Sequence, residues 1–368
     1  MIYSEKQISL ISSISVIDSY ISAETRISNW IMNSKNFDTL LINGDSFHML
    51  DNFPTASIDT IITSPPYWNQ RSYSSNGIGL ENEPKEYISN LLAIMSKLYR
   101  CLKPDGSFWL NLGDSYHKKS LAGIPWRVAL KMIDEQGWIL RNDVIWSKVK
   151  GGMDTSRDRL SNTHEMLFHF VKQSKYWFDM NSIRTRPREA KIVNGAVVSA
   201  TGVTGVNYRR KIELSTELSL VEKANATKAL EDMIEKLRNG DLSDFRMVIR
   251  GAGQRVTHSD QGRVSGRAKE LNDKGFYFLR YHPDGAKPSD VWEIVPEDTQ
   301  QRDARHYAAF PKDLCRIPIL ATCPKDGIIL DPFAGTGTTL VAACEHGRRS
   351  VGIDISSDYV SLMEERLS

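Results

Sequence analysis

The twelve residues Ile328-Ile-Leu-Asp-Pro-Phe-Ala-Gly-Thr-Gly-Thr-Thr339 decide the fold. Ile328–Leu330 reads as a buried strand, and Asp331-Pro-Phe-Ala-Gly-Thr-Gly-Thr-Thr339 then opens a helix through a run of small residues. Small residues let a backbone approach a ligand closely, and a helix N-terminus offers free amides. A second strand, Ser350-Val-Gly-Ile-Asp354, ends on an acid 23 residues after Asp331. An acid at the end of that strand is placed to accept hydrogen bonds from both hydroxyls of a ribose. Thr338 and Thr339 stand where a phosphate-binding loop requires lysine, and the third glycine of a dinucleotide fingerprint is missing. The expected ligand is a nucleoside without a pyrophosphate. A purely structural turn would leave Asp331 unexplained at the mouth of the sheet.

Working outward, strands and helices alternate. Asp38–Asn43 and Ser57–Thr63 read as strands. Glu83-Pro84 opens a helix whose apolar pairs Tyr87/Ile88, Leu91/Leu92, Ile94/Met95 and Leu98/Tyr99 fall at helical period, and Pro104-Asp105-Gly106 turns the chain after it. Ser107–Leu112 is a strand, Ile124–Gln136 an amphipathic helix, and Trp138–Trp146 and His164–Val171 complete the series. This alternation predicts an α/β fold, a mostly parallel twisted sheet with helices on both faces. Ile8, Ile11, Ile14, Ile17, Ile21, Ile27 and Trp30 carry helix-like spacing, which predicts an N-terminal helical extension over residues 1–36.

Between 184 and 290 the alternation breaks. A helix is expected from Thr216 to Arg238, set in polar, arginine-rich sequence. From Arg184 to Lys287 there are 20 Lys+Arg against 13 Asp+Glu, so this segment carries +7 and the rest of the chain −5. That asymmetry suits a polyanion-facing insertion, and a solvated face with scattered charge is the plainer alternative. The chain accordingly divides into 1–36, a half-domain at 37–183, the insertion at 184–290 and a second half-domain at 291–368.

Composition is ordinary for a soluble protein, with 40% hydrophobic and 25% charged residues in 368. No apolar run approaches the roughly 18 residues of a membrane span, and the N-terminus has no signal-peptide character. The four cysteines, Cys101, Cys315, Cys323 and Cys344, form no C-x-x-C pair. Neither a metal site nor a disulfide framework is expected, and the compartment expected is the reducing cytoplasm.

Two motifs together carry a family resemblance. Asp331-Pro-Phe-Ala-Gly-Thr-Gly337 resembles the S-adenosylmethionine loop of DNA amino-methyltransferases, and Thr63-Ser-Pro-Pro-Tyr-Trp68 resembles their catalytic loop. The catalytic loop comes first and a long insertion follows, which resembles the β-class, circularly permuted arrangement. The resemblance runs from about Asp38 to the C-terminus. It implies a Rossmann-like methyltransferase fold, S-adenosylmethionine as cofactor, double-stranded DNA as substrate and target recognition by 184–290.

The residue types suit that chemistry. The lone pair of an exocyclic base amine is delocalised into the ring, so the amine is a poor nucleophile. Two acceptors on its N–H groups would aim the lone pair at an electrophilic methyl. The resemblance gives those roles to the Ser64 hydroxyl and the Pro65 carbonyl, with Pro66 fixing the backbone and Tyr67 stacking on the flipped-out base. It implies cofactor contacts at Thr63, Asp331, Pro332, Phe333, Ala334, Gly335, Gly337, Thr338, Asp354 and Ile355, and places Asp45 near the adenine amine. His306-Tyr-Ala-Ala-Phe310 resembles the segment that leads to the methionine end, with His306 and Phe310 in contact. Pro318 predicts a kink or early stop in the helix that follows.

A serine at position 64 is more typical of cytosine-N4 members, whereas an aspartate there marks mostly adenine-N6 members. Cytosine N4 is the target expected, and adenine N6 stays open. Cytosine C5 chemistry fits poorly, because its thiolate normally sits in a Pro-Cys pair and the chain has none. Candidate DNA contacts are Arg246, Arg250, Arg255, Arg263 and Arg267 in the insertion, with Lys148, Arg157 and Arg159 after Trp146. Tyr277 and Tyr281 are assigned to the core, and His164 and Glu165, which open an apolar run, to structural roles. A non-catalytic nucleoside- and nucleic-acid-binding module and an RNA or protein methyltransferase remain as alternatives. A companion restriction endonuclease, and the choice of monomer or homodimer, are left open.

Overall fold

In a computed structural model of the chain, residues 13–18, 20, 22–69, 77–149, 156–185, 190–193, 196–198, 207–251, 266–296 and 310–368 are described. The chain forms two compact units, one of residues 1–182 with 289–368 and one of residues 183–288.

The larger unit begins with β1 (Ile14–Ile17), α1 (Ala23–Asn33), β2 (Thr39–Asn43), the single turn α2 (Ser46–Met49) and β3 (Ile58–Thr63). Helix α3 (Pro84–Cys101) leads into β4 (Leu102–Leu112), and a small hairpin of β5 (Tyr116–His117) and β6 (Ser120–Leu121) follows. Then come α4 (Ile124–Gln136), β7 (Ile139–Ser147) and β8 (His164–Val171). The smaller unit holds β9 (Lys191–Val193), β10 (Ala196–Val198), α5 (Tyr208–Glu213), α6 (Leu220–Arg238), β11 (Asp244–Ile249), α7 (Gly266–Lys274) and β12 (Phe276–Tyr281). The larger unit resumes with β13 (Val291–Glu293), α8 (Lys312–Thr322), β14 (Ile328–Asp331), α9 (Thr338–Glu345), β15 (Arg349–Asp354) and α10 (Ser357–Leu367).

Among the described residues, nine strands form the main sheet in the order β1-β2-β15-β14-β3-β4-β8-β7-β13. From β1 to β4 in that order every pairing is parallel. Strand β8 runs antiparallel to both its neighbours, and β13 is parallel to β7. The sheet is therefore mostly parallel, as the alternation predicts. The last two strands of the chain sit in its middle, between β2 and β3, and this interleaving sets their loops beside those of the first half.

The strands show why both faces are covered. Successive side chains of a strand point to opposite faces. Leu40 and Ile42 of β2, Ile61 of β3, Phe108 and Leu110 of β4 and Phe168 and Phe170 of β8 join one core, with Ile27 and Trp30 of α1, Leu91 and Leu98 of α3 and Val128 of α4. Their neighbours face the other way: Ile62, Trp109 and Leu167 pack with Leu314 and Ile319 of α8, and Leu41 packs with Leu340 of α9 and Met363 of α10. Apolar runs without polar alternation are the mark of strands buried on both sides.

Some sequence-based expectations change. The turn expected at Pro104-Asp105-Gly106 lies inside β4, whose pairing with β3 shifts register between Ile58 and Thr60. Ile14–Ile17 is not helical but an edge strand paired with Thr39–Ile42, so the stretch predicted as an N-terminal helical extension includes a strand of the main sheet. Apolar residues three apart in so short a run satisfy either period, and here β-branched side chains and a free sheet edge favour the strand. Ile8, Ile11 and Ile21 lie outside the described residues. In the smaller unit, Phe276 joins a core with Phe245, Met247, Leu230 and Met233, and Phe278 packs against it. Tyr277 and Tyr281, opposite Val248 and Asp244 in the antiparallel β11–β12 pair, alternate onto the reverse face and are half-buried rather than core. Among the described residues no helix is long and apolar enough to cross a membrane.

Candidate active site

Parallel strands end on one edge, and here that edge collects the candidate residues. Asp45 follows β2, Ser64 follows β3, Asp331 closes β14 and Asp354 closes β15. The register sets Leu330 beside Ile61, Asp331 beside Gly352 and Asp354 beside Asn43. Thr63 Oγ1 donates to Asp331 Oδ1 at 2.6 Å, which joins two loops 268 positions apart in the chain. Open α/β sheets bind their ligands beyond such strand ends.

Asp331 works as a tie. Its carboxylate is buried and accepts from Thr63 Oγ1, from Thr339 Oγ1 at 2.6 Å and from the Phe333 amide at 3.1 Å. Burial raises its pKa to about 6, and those donors pull the other way. Asp354 is the better ligand group. Its oxygens accept from the amides of Gly335 (2.8 Å) and Ser356 (2.9 Å), one each, so each retains acceptor capacity. Burial likewise raises Asp354 to about 6.

Around these acids the loop is shaped for close approach. Gly335 has φ 52° and no atom within 4 Å of where a Cβ would stand, so the left-handed turn leaves open room. Gly337 caps α9, Ala334 is buried with its amide on the Ile353 carbonyl, and the Pro332 carbonyl accepts from Ser46 Oγ. Thr338 Oγ1 is buried with no hydrogen-bond partner among the described residues, which suits a polar ligand at this loop. Phe333 is half-buried against the core, and Ile355 is 41% exposed. Asp45 caps α2 by accepting from the Phe47 amide at 2.9 Å and keeps an exposed carboxylate. These groups fit a nucleoside-bearing cofactor: an acid pair beside the glycine turn, an unmet hydroxyl and an apolar wall.

The second loop is braced from behind. Trp68 is buried, donates from Nε1 to the Glu81 carbonyl at 2.8 Å, and its own carbonyl accepts from Ser115 Oγ at 3.0 Å. The Pro66 carbonyl accepts from Tyr87 Oη at 2.9 Å, whereas no hydrogen bond reaches the Pro65 carbonyl from the described residues. Tyr67 lies against Gly113, where a Cβ would come within 2.6 Å of its ring. Ser64 Oγ lies 3.2 Å from Tyr67 Oη, and Tyr67 Oη donates to Glu165 Oε2 at 2.6 Å. Asn111 Nδ2 reaches Tyr67 Oη and Glu165 Oε2, each at 2.8 Å, and Ser64 Oγ at 3.3 Å. Burial, then the adjacent Glu165, raises the Tyr67 pKa well above the usual phenol range, so the hydroxyl keeps its proton.

Asn111 and Glu165 are the residues that sequence reasoning missed. Glu165, assigned a structural role, is 9% exposed and stands directly behind Tyr67. The available signal was a lone polar residue near the end of each apolar strand, Asn111 in Phe-Trp-Leu-Asn-Leu and Glu165 in His-Glu-Met-Leu-Phe.

Other assignments fall out as follows. Phe310 packs half-buried beside α8, and His306 lies outside the described residues. Helix α8 does not stop at Pro318; it runs on to Thr322, whose hydroxyl donates back to the Pro318 carbonyl at 2.6 Å. Lys148 is held by Glu165 at 2.5 Å, and the Arg159 guanidinium covers the Tyr116 ring at 3.9 Å. Arg157, Arg246 and Arg267 are exposed, while Arg255 and Arg263 lie outside the described residues. Arg250 is an internal brace of the smaller unit: it donates to both Glu222 oxygens (2.9 and 3.1 Å), the Glu217 carbonyl and the Asn272 carbonyl. All four cysteines are buried free thiols, and burial pushes Cys101 up to about 11 and Cys323 up to about 12.

Comparison with known proteins follows the geometry. The profile of a family described as DNA methylase, of N6/N4 type, matches residues 58–365. The type II methyltransferase M.SfiI of Streptomyces fimbriatus is 30% identical over 381 residues, covering 88% of this chain and 90% of that protein. The type II methyltransferase M.SmaI of Serratia marcescens is 26% identical over 357 residues, covering 89% and 90%. Among solved structures, the PvuII DNA methyltransferase (cytosine-N4-specific) superposes with a TM-score of 0.54 at 18% identity, over 89% of this chain and 86% of that one.

Proposed function

The chain belongs to the N6/N4 DNA methylase family, and from that premise we propose that it transfers a methyl group from S-adenosylmethionine to the exocyclic N4 amine of a flipped-out cytosine in duplex DNA. The observation that carries this reading is the hydrogen bond from Thr63 Oγ1 to Asp331 Oδ1, which sets the Ser64 loop against the glycine loop. S-adenosylmethionine bound at the glycine loop supplies an electrophilic methyl on a sulfonium. Asp354 accepts the ribose hydroxyls, Thr338 Oγ1 and the Gly335 turn meet the nucleoside, and Asp45 and Phe333 border it. Ser64 Oγ and the Pro65 carbonyl, which has no hydrogen-bond donor among the described residues, accept the two amine N–H groups and orient the nitrogen lone pair. Positioning of this kind supplies most of the rate in a direct displacement.

Serine at position 64 and the cytosine-N4 specificity of the PvuII enzyme support the choice of base. Methylation of duplex DNA with labelled cofactor, followed by digestion to nucleosides, is expected to yield N4-methylcytosine. N6-methyladenine as the labelled product would overturn the assignment. Residues 183–288 are proposed to read the target, with Arg246 and Arg267 as exposed cations for phosphate or guanine. Arg250 is a poor probe of that surface, because removing it breaks the Glu222 pair inside the unit.

The raised carboxyls give a pH dependence. Ribose hydroxyls bind the ionised form of Asp354, which titrates near pH 6 in the free protein. Cofactor affinity is expected to be flat from pH 8 to 7 and to fall as pH drops through about 6, approaching tenfold per unit below it. Protonation of Asp331 in the same range loosens the loop tie and acts in the same direction. Calorimetric titration of cofactor from pH 8 to 5 checks this, and an affinity unchanged at pH 5 contradicts it.

A further inference from the structure

We infer that Glu165 acts as a positioning residue: through Tyr67 it sets the direction of the Ser64 hydroxyl, so that Ser64 faces the target amine as an acceptor. This rests on the proposed amine methylation and assigns a group that the motif itself does not contain.

Proton counting fixes the sense of this hydrogen-bond chain. The Glu165 carboxylate is paired with the Lys148 ammonium at 2.5 Å and accepts only. Tyr67 has a single hydroxyl proton, and the 2.6 Å contact commits it to Glu165 Oε2. Tyr67 Oη can then only accept, and it does so from Asn111 Nδ2 at 2.8 Å and from Ser64 at 3.2 Å. Either hydroxyl could donate in the Ser64–Tyr67 contact taken alone. With Glu165 behind Tyr67, the proton belongs to Ser64 and points away from the target. The two Asn111 Nδ2 protons serve the 2.8 Å contacts with Tyr67 Oη and Glu165 Oε2, so among the described residues its 3.3 Å approach to Ser64 Oγ leaves the Ser64 lone pairs to an amine N–H. A serine in the opposite sense would present its proton to the amine and compete for the nitrogen lone pair that has to attack.

The same chain accounts for the proton that methylation releases. As the N–C bond forms, one amine N–H bond breaks and its proton passes to Ser64 Oγ. The Ser64 proton moves to Tyr67 Oη, and the Tyr67 proton moves to Glu165 Oε2. The net change is one N–C bond formed and one S–C bond broken, which leaves a neutral thioether, with one N–H bond lost on the amine and one O–H bond gained on Glu165. Glu165 returns its proton to solvent once the product base has left. Asn111 holds the chain together, since its amide contacts all three oxygens.

Glu165→Gln tests this, because an amide of nearly the same volume can donate to Tyr67 and reverse the chain. The variant is expected to lower kcat about 100-fold at saturating DNA while the Kd for S-adenosylmethionine stays at the wild-type value. Tyr67→Phe keeps the ring and removes only the link, so it too lowers kcat, by about tenfold or more. In the double variant the Glu165→Gln effect is expected to be much smaller than in the wild-type background, because the Tyr67 link is gone and only the Asn111 amide still touches both Glu165 and Ser64. Wild-type kcat in Glu165→Gln, or additive losses in the double variant, overturns the inference. Should Glu165→Gln fail to fold, Tyr67→Phe alone decides, and an unchanged kcat there overturns it. Failure of the methylation reading is distinguishable, since the wild-type protein would then leave DNA unmodified.

Discussion

Asp354→Ala is expected to weaken S-adenosylmethionine binding by about 100-fold or more while the protein stays folded. A hydrogen bond to a charged acceptor contributes about 1.5–3 kcal/mol, so two ribose hydroxyls on one carboxylate give at least about 3 kcal/mol. The acid is already raised to about 6 by burial, so its removal relieves a desolvation cost that partly offsets lost folding contacts. The Gly335 and Ser356 amides lose their acceptor, and water can reach them in a site open enough to admit a ligand. Isothermal titration measures the affinity and thermal melting confirms the fold. An unchanged affinity would remove Asp354 from the ribose role and leave the glycine loop without its main specificity group.

Ser64→Ala is the complementary experiment, with the opposite signature. Turnover is expected to fall about 100-fold, while cofactor affinity stays at the wild-type value because the role proposed for Ser64 is toward the target amine and not the nucleoside. The substitution removes a half-buried hydroxyl whose partners are Tyr67 and Asn111, and both retain Glu165 as a partner. Single-turnover kinetics at saturating cofactor and DNA read the chemical step directly. Equal turnover in the variant would take Ser64 out of the reaction and leave the Pro65 carbonyl as the amine's acceptor.

Much of this site was legible in the chain because it follows from local chemistry. The Ile328–Thr339 stretch specifies strand, left-handed glycine turn and helix, and the acid at 354 is found by counting along a strand–helix–strand unit. Strand runs such as His164–Val171 and helices such as Ile124–Gln136 appear at the bounds expected from their periodicity. What local reasoning could not supply was sheet order. The placement of β14 and β15 between β2 and β3 depends on long-range pairing, and only that pairing makes Asp331 a partner of Thr63.

The same limit explains what local reading could not place. Glu165 opens an apolar strand and looks structural until β8 is known to run antiparallel beside β4, which brings it to the Tyr67 hydroxyl. Arg250 counts as a free cation in a composition tally, yet tertiary structure closes Glu222 around it. Ile14–Ile17 satisfies a helical spacing and a strand equally, and the decision comes from a sheet edge that lies 25 residues further on at Thr39. Residue type identified the chemistry, and topology decided which residues share it.

The central claim is that the Ser64 loop and the glycine loop form one pocket in which a base amine meets the methyl donor. A crystal structure of the full chain with a duplex carrying its target site and a non-transferring analogue of S-adenosylmethionine tests it most directly. The quantity to read is the distance from the exocyclic amine nitrogen of the extruded base to Ser64 Oγ and to the Pro65 carbonyl oxygen. The account predicts both within about 3.2 Å, with the analogue's ribose on Asp354. A target base still stacked in the duplex, or an amine held by other residues while Ser64 stands empty, would contradict it.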